Sequence, residues 1–187
     1  MANSPERLHF TDDDEADRLL AQDPLALLIG FVLDQQVPLQ KAFSGPLELR
    51  RRTGTLDAAE IAGMDPDRLE EAFRGPPALH RFPSAMASKV QQVCAIVADR
   101  YGGRAERIWT DAQDAADLRK RLEELPGFGE MKIGSLAAVL AKQFGVEVAG
   151  GLVPDHPTLG DVDSSEARGR YQSWKRSMKE AQRSRRG

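Results

Sequence analysis

Cysteine is almost missing from this chain. A single Cys94 in 187 residues excludes an intramolecular disulfide, a cysteine-rich zinc site and a cysteine-ligated iron–sulfur cluster supplied by this chain alone. With Val90, Val93 and Val97 around it, Cys94 reads as a small buried hydrophobe rather than a catalytic thiol. Runs of β-branched residues with period two are nearly absent as well, which removes the usual signature of a sheet. Ala, Leu, Arg, Glu and Gln dominate instead, and they predict an all-α protein. No apolar run is long enough to cross a bilayer, and residues 1–10 are polar, without the apolar core of a secretory signal. The expectation is a cytoplasmic protein with no membrane partner.

What is present is a globular mixture, 41% hydrophobic and 29% charged, enough for one domain or two small lobes with a sizeable core. The net charge of −3 argues against a protein that coats nucleic acid indiscriminately, but the charge is unevenly spread. Asp12, Asp13, Asp14 and Glu15 make an acidic run, whereas Arg168, Arg170, Lys175, Arg176, Lys179, Arg183, Arg185 and Arg186 crowd the C-terminal stretch. That asymmetry suggests a focused basic face. A solvated helix with a loose tail is the bland alternative.

Start and stop signals divide the chain into helices. Thr11 with Asp14 opens a short one, and Asp23-Pro24 opens a stronger one over residues 24–36, apolar on most faces and therefore central. Its end is abrupt, with Asp34, Gln35 and Gln36 following Leu33. Pro38 starts another helix, which Gly45-Pro46 is expected to interrupt or end. Residues 55–62 and 65–73 read as short helices, and the proline-rich residues 75–83 as a loop joining two lobes. Ser84 is placed as the cap of a long amphipathic helix stopped by Gly102-Gly103. A loop rich in Gly, Pro and Asp is expected over residues 146–163, then a last helix from about Ser164, capped by Asp163 and frayed beyond about Ala181.

Between two further helices, residues 112–124 and 130–144, lies Leu125-Pro126-Gly127-Phe128-Gly129. Two glycines one residue apart at a helix-to-helix turn bring bare backbone N–H groups to the start of the second helix, where the macrodipole favours an anion. Lys132 in that first turn opposes the dipole unless something negative lies beside it. A nucleic-acid phosphate would resolve the conflict; an ordinary tight turn between helices with a solvated lysine is the alternative.

Three segments, in order, resemble the helix-hairpin-helix, Gly-Pro-Asp superfamily of DNA glycosylases. Residues 23–36 are similar to the family's buried helix that ends with a glutamine entering the DNA. Residues 125–129 are similar to its hairpin. Leu152-Val153-Pro154-Asp155, followed by residues 170–175, is similar to the catalytic-aspartate turn and final helix of the branch acting on alkylated bases. The resemblance spans roughly residues 23–176. It implies a two-lobe all-α fold with double-stranded DNA in the cleft, Asp155 as the catalytic carboxylate, Gln36 filling the gap left by an everted base, and Gly127, Phe128, Gly129 and Lys132 contacting DNA. It implies a monomer that needs no cofactor, with room at the hairpin loop for a monovalent cation.

The departures matter too. Where bifunctional members carry a Schiff-base lysine, this chain has Met131; Lys132 is one position off, about 100° around a helix. This register implies a monofunctional enzyme without lyase activity. His156-Pro157-Thr158 replaces the family's residues after the aspartate, so that Asp161 or Asp163 competes with Asp155 for the catalytic place. A non-catalytic binder of DNA structures, and a helical protein-interaction module, are the other two classes that the sequence supports.

Overall fold

A computed structural model describes residues 4–187; residues 1–3, part of the polar N-terminal stretch, lie outside the described residues. All regular structure among the described residues is helical: α1 (Asp14–Gln22), α2 (Pro24–Leu33), α3 (Leu39–Thr53), α4 (Ala58–Ala62), α5 (Pro66–Arg74), α6 (Pro83–Tyr101), α7 (Arg107–Thr110), α8 (Ala115–Glu123), α9 (Glu130–Phe144) and α10 (Ser165–Arg186). Two short 3-10 turns, Glu147–Leu152 and Leu159–Asp161, occupy the connection between α9 and α10.

Aspartates start half of these helices. The carboxylates of Asp13, Asp23, Asp57, Asp65 and Asp114 each accept backbone N–H groups of the following first turn, satisfying donors that a helix start leaves orphaned. The acidic run 12–15 is therefore spent locally. Asp13 caps α1, Asp14 pairs with Arg7, Glu15 with Arg51, and Asp12 takes the guanidinium of Arg168. α10 is capped differently from the expectation: the Ser164 hydroxyl, not Asp163, accepts from the Ala167 N–H at 3.0 Å. The cap must point its oxygen back over the first turn, and the extended backbone of Ser164 lets it do so.

Other boundaries moved as well: α4 begins at Ala58 rather than residue 55, and α8 at Ala115 rather than residue 112. α3 runs straight through Gly45-Pro46, because Ala42, Phe43, Pro46, Leu47 and Leu49 are all buried and that burial outweighs the hydrogen bond lost at proline. α6 begins at Pro83, and Ser84 serves elsewhere, donating to Glu70 and accepting from Arg74 to tie α5 to α6. α10 stays helical to Arg186 instead of fraying near residue 181, in keeping with a run of strong helix formers.

α2 is the centre of the fold: every residue from Leu25 to Leu33 is buried. It packs against α1, α3 and α6, and α4 and α5 cover α6. A second group forms where α9 receives α8 and both 3-10 turns. One continuous hydrophobic cluster, from Leu8 to Val162, joins the two groups.

Candidate functional site

α2 stops at Leu33, not at Gln36, and the reason lies in the proline-rich loop. His80 is 1% exposed; its Nδ1 accepts from the Phe82 N–H at 2.9 Å, so Nε2 carries the proton and faces the carbonyls of Leu33 (3.1 Å) and Gln35 (2.9 Å). A histidine from residues 75–83 thus satisfies carbonyls that the helix end leaves free. Burial holds its pKa below the ordinary value despite those two acceptors. The clip ends the helix just before three consecutive polar residues, which point in different directions. Gln36 stands exposed at the tip with φ +57°, the one non-glycine residue in the left-handed region among those described. Gln35 turns back, its amide donating to the Val32 carbonyl.

Asp34 faces the opposite side of this bend, into a cavity of about 520 Å3 walled by Lys132, His156, Tyr171, Trp174, Lys175 and Lys179. Its carboxylate has no hydrogen-bond or ion-pair partner within 4.0 Å among the described residues. Burial pushes its pKa up, and Lys175, Lys132 and Lys179 pull it back down.

The first turns of α9, which follow the turn at 125–129, supply the second wall through Met131, Lys132 and Ser135. Gly127 has φ +84°, a conformation that only glycine adopts without strain, and Gly129 precedes α9 with no side-chain cap. A Cβ at Gly129 would meet nothing within 4 Å, so the N-terminus of α9 is open. Phe128 is buried, 6% exposed, and its ring anchors the turn rather than facing outward. Lys132 Nζ lies 6.0 Å from that ring centroid. The neighbouring Met131 also borders the cavity but is 84% exposed, whereas Lys132 is half-buried in its wall. Burial brings its pKa down to about 8, with Lys89 and Lys175 adding to the effect and Asp34 opposing it. Asp34 is the negative neighbour that a lysine in the first turn of a helix requires.

The third wall is aromatic. His156 stacks on Trp174 at 5.6 Å between centroids and 18° between planes, and Tyr171 leans on Trp174 at 6.1 Å. Lys175 Nζ lies 5.8 Å from the Tyr171 ring. Burial, with Asp34 adding, pushes the Tyr171 hydroxyl to a pKa of about 12, so it remains a proton donor at neutral pH. These rings also border a second cavity, about 700 Å3, that Asp155, Asp161, Lys142 and Arg170 line.

Of the residues expected at the site, Lys132 faces the cavity, Gly127 and Gly129 are exposed in the turn before α9 and line neither cavity, Gln36 lies across the basic groove shared with Arg81, Lys175, Lys179 and Arg183, and Phe128 packs inward. Asp155 is exposed at the mouth of the second cavity. Asp161 is already engaged: it closes a capping box with Thr158 and pairs with Lys142 at 2.6 Å. Asp163 is exposed and does not line either cavity. Sequence reasoning missed Asp34 as a chemical group, although a polar residue directly after nine buried apolar ones was visible. It also missed His80.

No protein-family model, curated protein or solved structure matches this chain. Among the described residues no cluster of His, Cys, Asp and Glu is arranged to hold a metal ion, and no helix is long and apolar enough to cross a membrane.

Proposed function

We propose that this protein is a DNA glycosylase, acting on duplex DNA by everting a damaged nucleotide and hydrolysing its N-glycosidic bond. The observation that carries the reading is the joining of an uncapped helix start after Gly127 and Gly129 to a cavity with an aromatic wall, lysines and a carboxylate. The helix start suits a phosphate. The rings of Tyr171 and Trp174 suit the faces of an unstacked base, and Lys175 and Lys179 suit the phosphates beside it. Gln36, exposed on a strained bend, is placed to fill the space that the base leaves. The resemblance of residues 23–36 and 125–129 to the helix-hairpin-helix glycosylases supports the same assignment, with alkylated bases as the first lesions to try.

The orientation of Lys132 favours a second form of the reaction. Because Lys132 lines the cavity and has a pKa of about 8, a neutral amine is accessible near physiological pH. Such an amine can attack the sugar in place of water. Borohydride trapping separates the two: no covalent adduct is expected of a monofunctional enzyme, and an adduct lost in Lys132→Ala establishes the bifunctional one.

The experiment is base release from duplexes bearing a panel of lesions, run beside duplex binding at several salt concentrations. Release of a base, together with binding that falls steeply with salt, is the expected result. Lys132→Ala should weaken binding on all sequences and shallow the salt slope by about one unit. Binding without release on any lesion leaves a non-catalytic DNA-structure binder; neither binding nor release rejects the reading.

A further inference from the structure

Resting on the glycosylase reading, we propose that Asp34, at the end of α2, is the carboxylate that faces the cationic sugar, in place of the exposed Asp155. The first support is its placement. Asp34 closes the most deeply buried helix of the fold, where the carbonyl end of the dipole already disfavours a negative charge. It lines three adjoining cavities and has both oxygens uncommitted among the described residues. An asparagine would fit the same bend without a half-buried charge set against a dipole. A group so poorly placed for stability, at the mouth of a cavity, is a mark of a working site.

The second support is the way its charge is held. Lys132 from α9 and Lys175 and Lys179 from α10 surround it, none within ion-pair distance. They sustain the ionised form without covering it. His80 on one side and Tyr171 on the other also lie beside the bend, and burial disfavours the charged form of each; His156, Arg81, Arg176 and Arg183 share the cavities that Asp34 lines. In the free protein three ammonium groups outweigh one carboxylate. Once a strand places its phosphates on Lys175 and Lys179, those charges are neutralised and Asp34 confronts the sugar between them. Asp155 has no such setting: it stands on the rim of the larger cavity, exposed to solvent.

The step is a heterolysis. The C1′–N bond breaks, and the base departs with the bonding pair and takes a proton from solvent. The positive charge left on C1′ and the ring oxygen is stabilised by the Asp34 carboxylate. Water then bonds to C1′, and its proton passes to Asp34 and on to solvent, leaving an abasic sugar.

The test uses the full chain and two duplexes, one with a pyrrolidine abasic analogue, whose ring nitrogen is cationic at neutral pH, and one with the neutral tetrahydrofuran analogue. The wild type should bind the cationic duplex more tightly by at least about tenfold. Asp34→Asn should abolish that preference, keep affinity for the neutral duplex within about threefold, melt no lower than the wild type, and slow single-turnover base release by at least about 100-fold. Asp155→Asn should keep both preference and rate. A preference that survives in Asp34→Asn or disappears in Asp155→Asn overturns the assignment, as does a wild type that binds both duplexes equally. A wild type that binds neither duplex rejects the broader DNA reading and this assignment with it. A low melting temperature in Asp34→Asn would show a structural residue.

Discussion

At the scale of single residues, the site is held by side chains whose value lies in one hydrogen-bonding arrangement. His80 is the clearest case. Burial holds its folded pKa below the ordinary 6.5, and protonating it would also put a second N–H opposite the Phe82 N–H, inside the protein. A group with a lowered folded pKa binds its proton more readily when unfolded, so the stability it confers is complete above pH 6.5 and is lost as pH falls toward the folded value. Equilibrium unfolding followed from pH 7 down to 5 should show this decline, and His80→Gln should remove most of it while costing about 1–3 kcal/mol at pH 7 through the carbonyls left unpartnered. Arg168 is a second such residue. It is only 9% exposed and donates to the Thr11 carbonyl and the Asp12 carboxylate. Its place in a basic run suggested a member of the charged face, but it fastens α10 to the N-terminal segment.

At the scale of elements, the connection from α9 to α10 shows what periodicity leaves out. The composition of residues 146–163 announces a loop, and two 3-10 turns docked against α9 are what formed. Gly160 makes the docking close. A Cβ there would lie 2.6 Å from the backbone carbonyl of Ala138, and no side-chain rotation relieves a clash with backbone. Gly160→Ala should therefore destabilise by about 1–3 kcal/mol in chemical denaturation, and because the same connection carries His156 into the wall of the site it should disturb ligand binding as well. By contrast α9 and its turn were legible almost to the residue: Ile133, Leu136, Ala137 and Leu140 mark the buried face, Gly145 ends it with φ +66°, and Gly127 takes the positive φ that its position in the turn demands. What the pattern did not show was which neighbour of Met131 faces inward, since that depends on where α2 and α10 lie.

At the scale of the whole molecule, charge is separated by use. The acids of the N-terminal run are consumed by caps and ion pairs, whereas Lys175, Lys179, Arg183 and Arg186 follow one side of α10 and border successive cavities. The net charge of −3 therefore says little about the surface that a ligand meets. If that ridge follows a nucleic-acid strand, as the proposed function requires, the double variant Lys179→Gln with Arg183→Gln should reduce the dependence of log affinity on log salt by nearly two units, with helical content unchanged. An unaltered slope would place the strand elsewhere.

The sequence by itself determined the all-helical architecture, because capping aspartates, proline starts and glycine stops are local signals and the apolar spacing that follows each of them is local too. It also determined the turn at Gly127, whose positive φ favours glycine. The tertiary structure decided the rest. Pro46 stays inside a helix because its neighbours are buried, His80 ends α2 from 47 residues away, and Asp34 meets Lys132, Tyr171, Trp174 and Lys175 only because α2, α9 and α10 converge. A site assembled from residues so distant along the chain is a product of packing, and packing free energy depends on all the elements at once rather than on any one stretch of sequence.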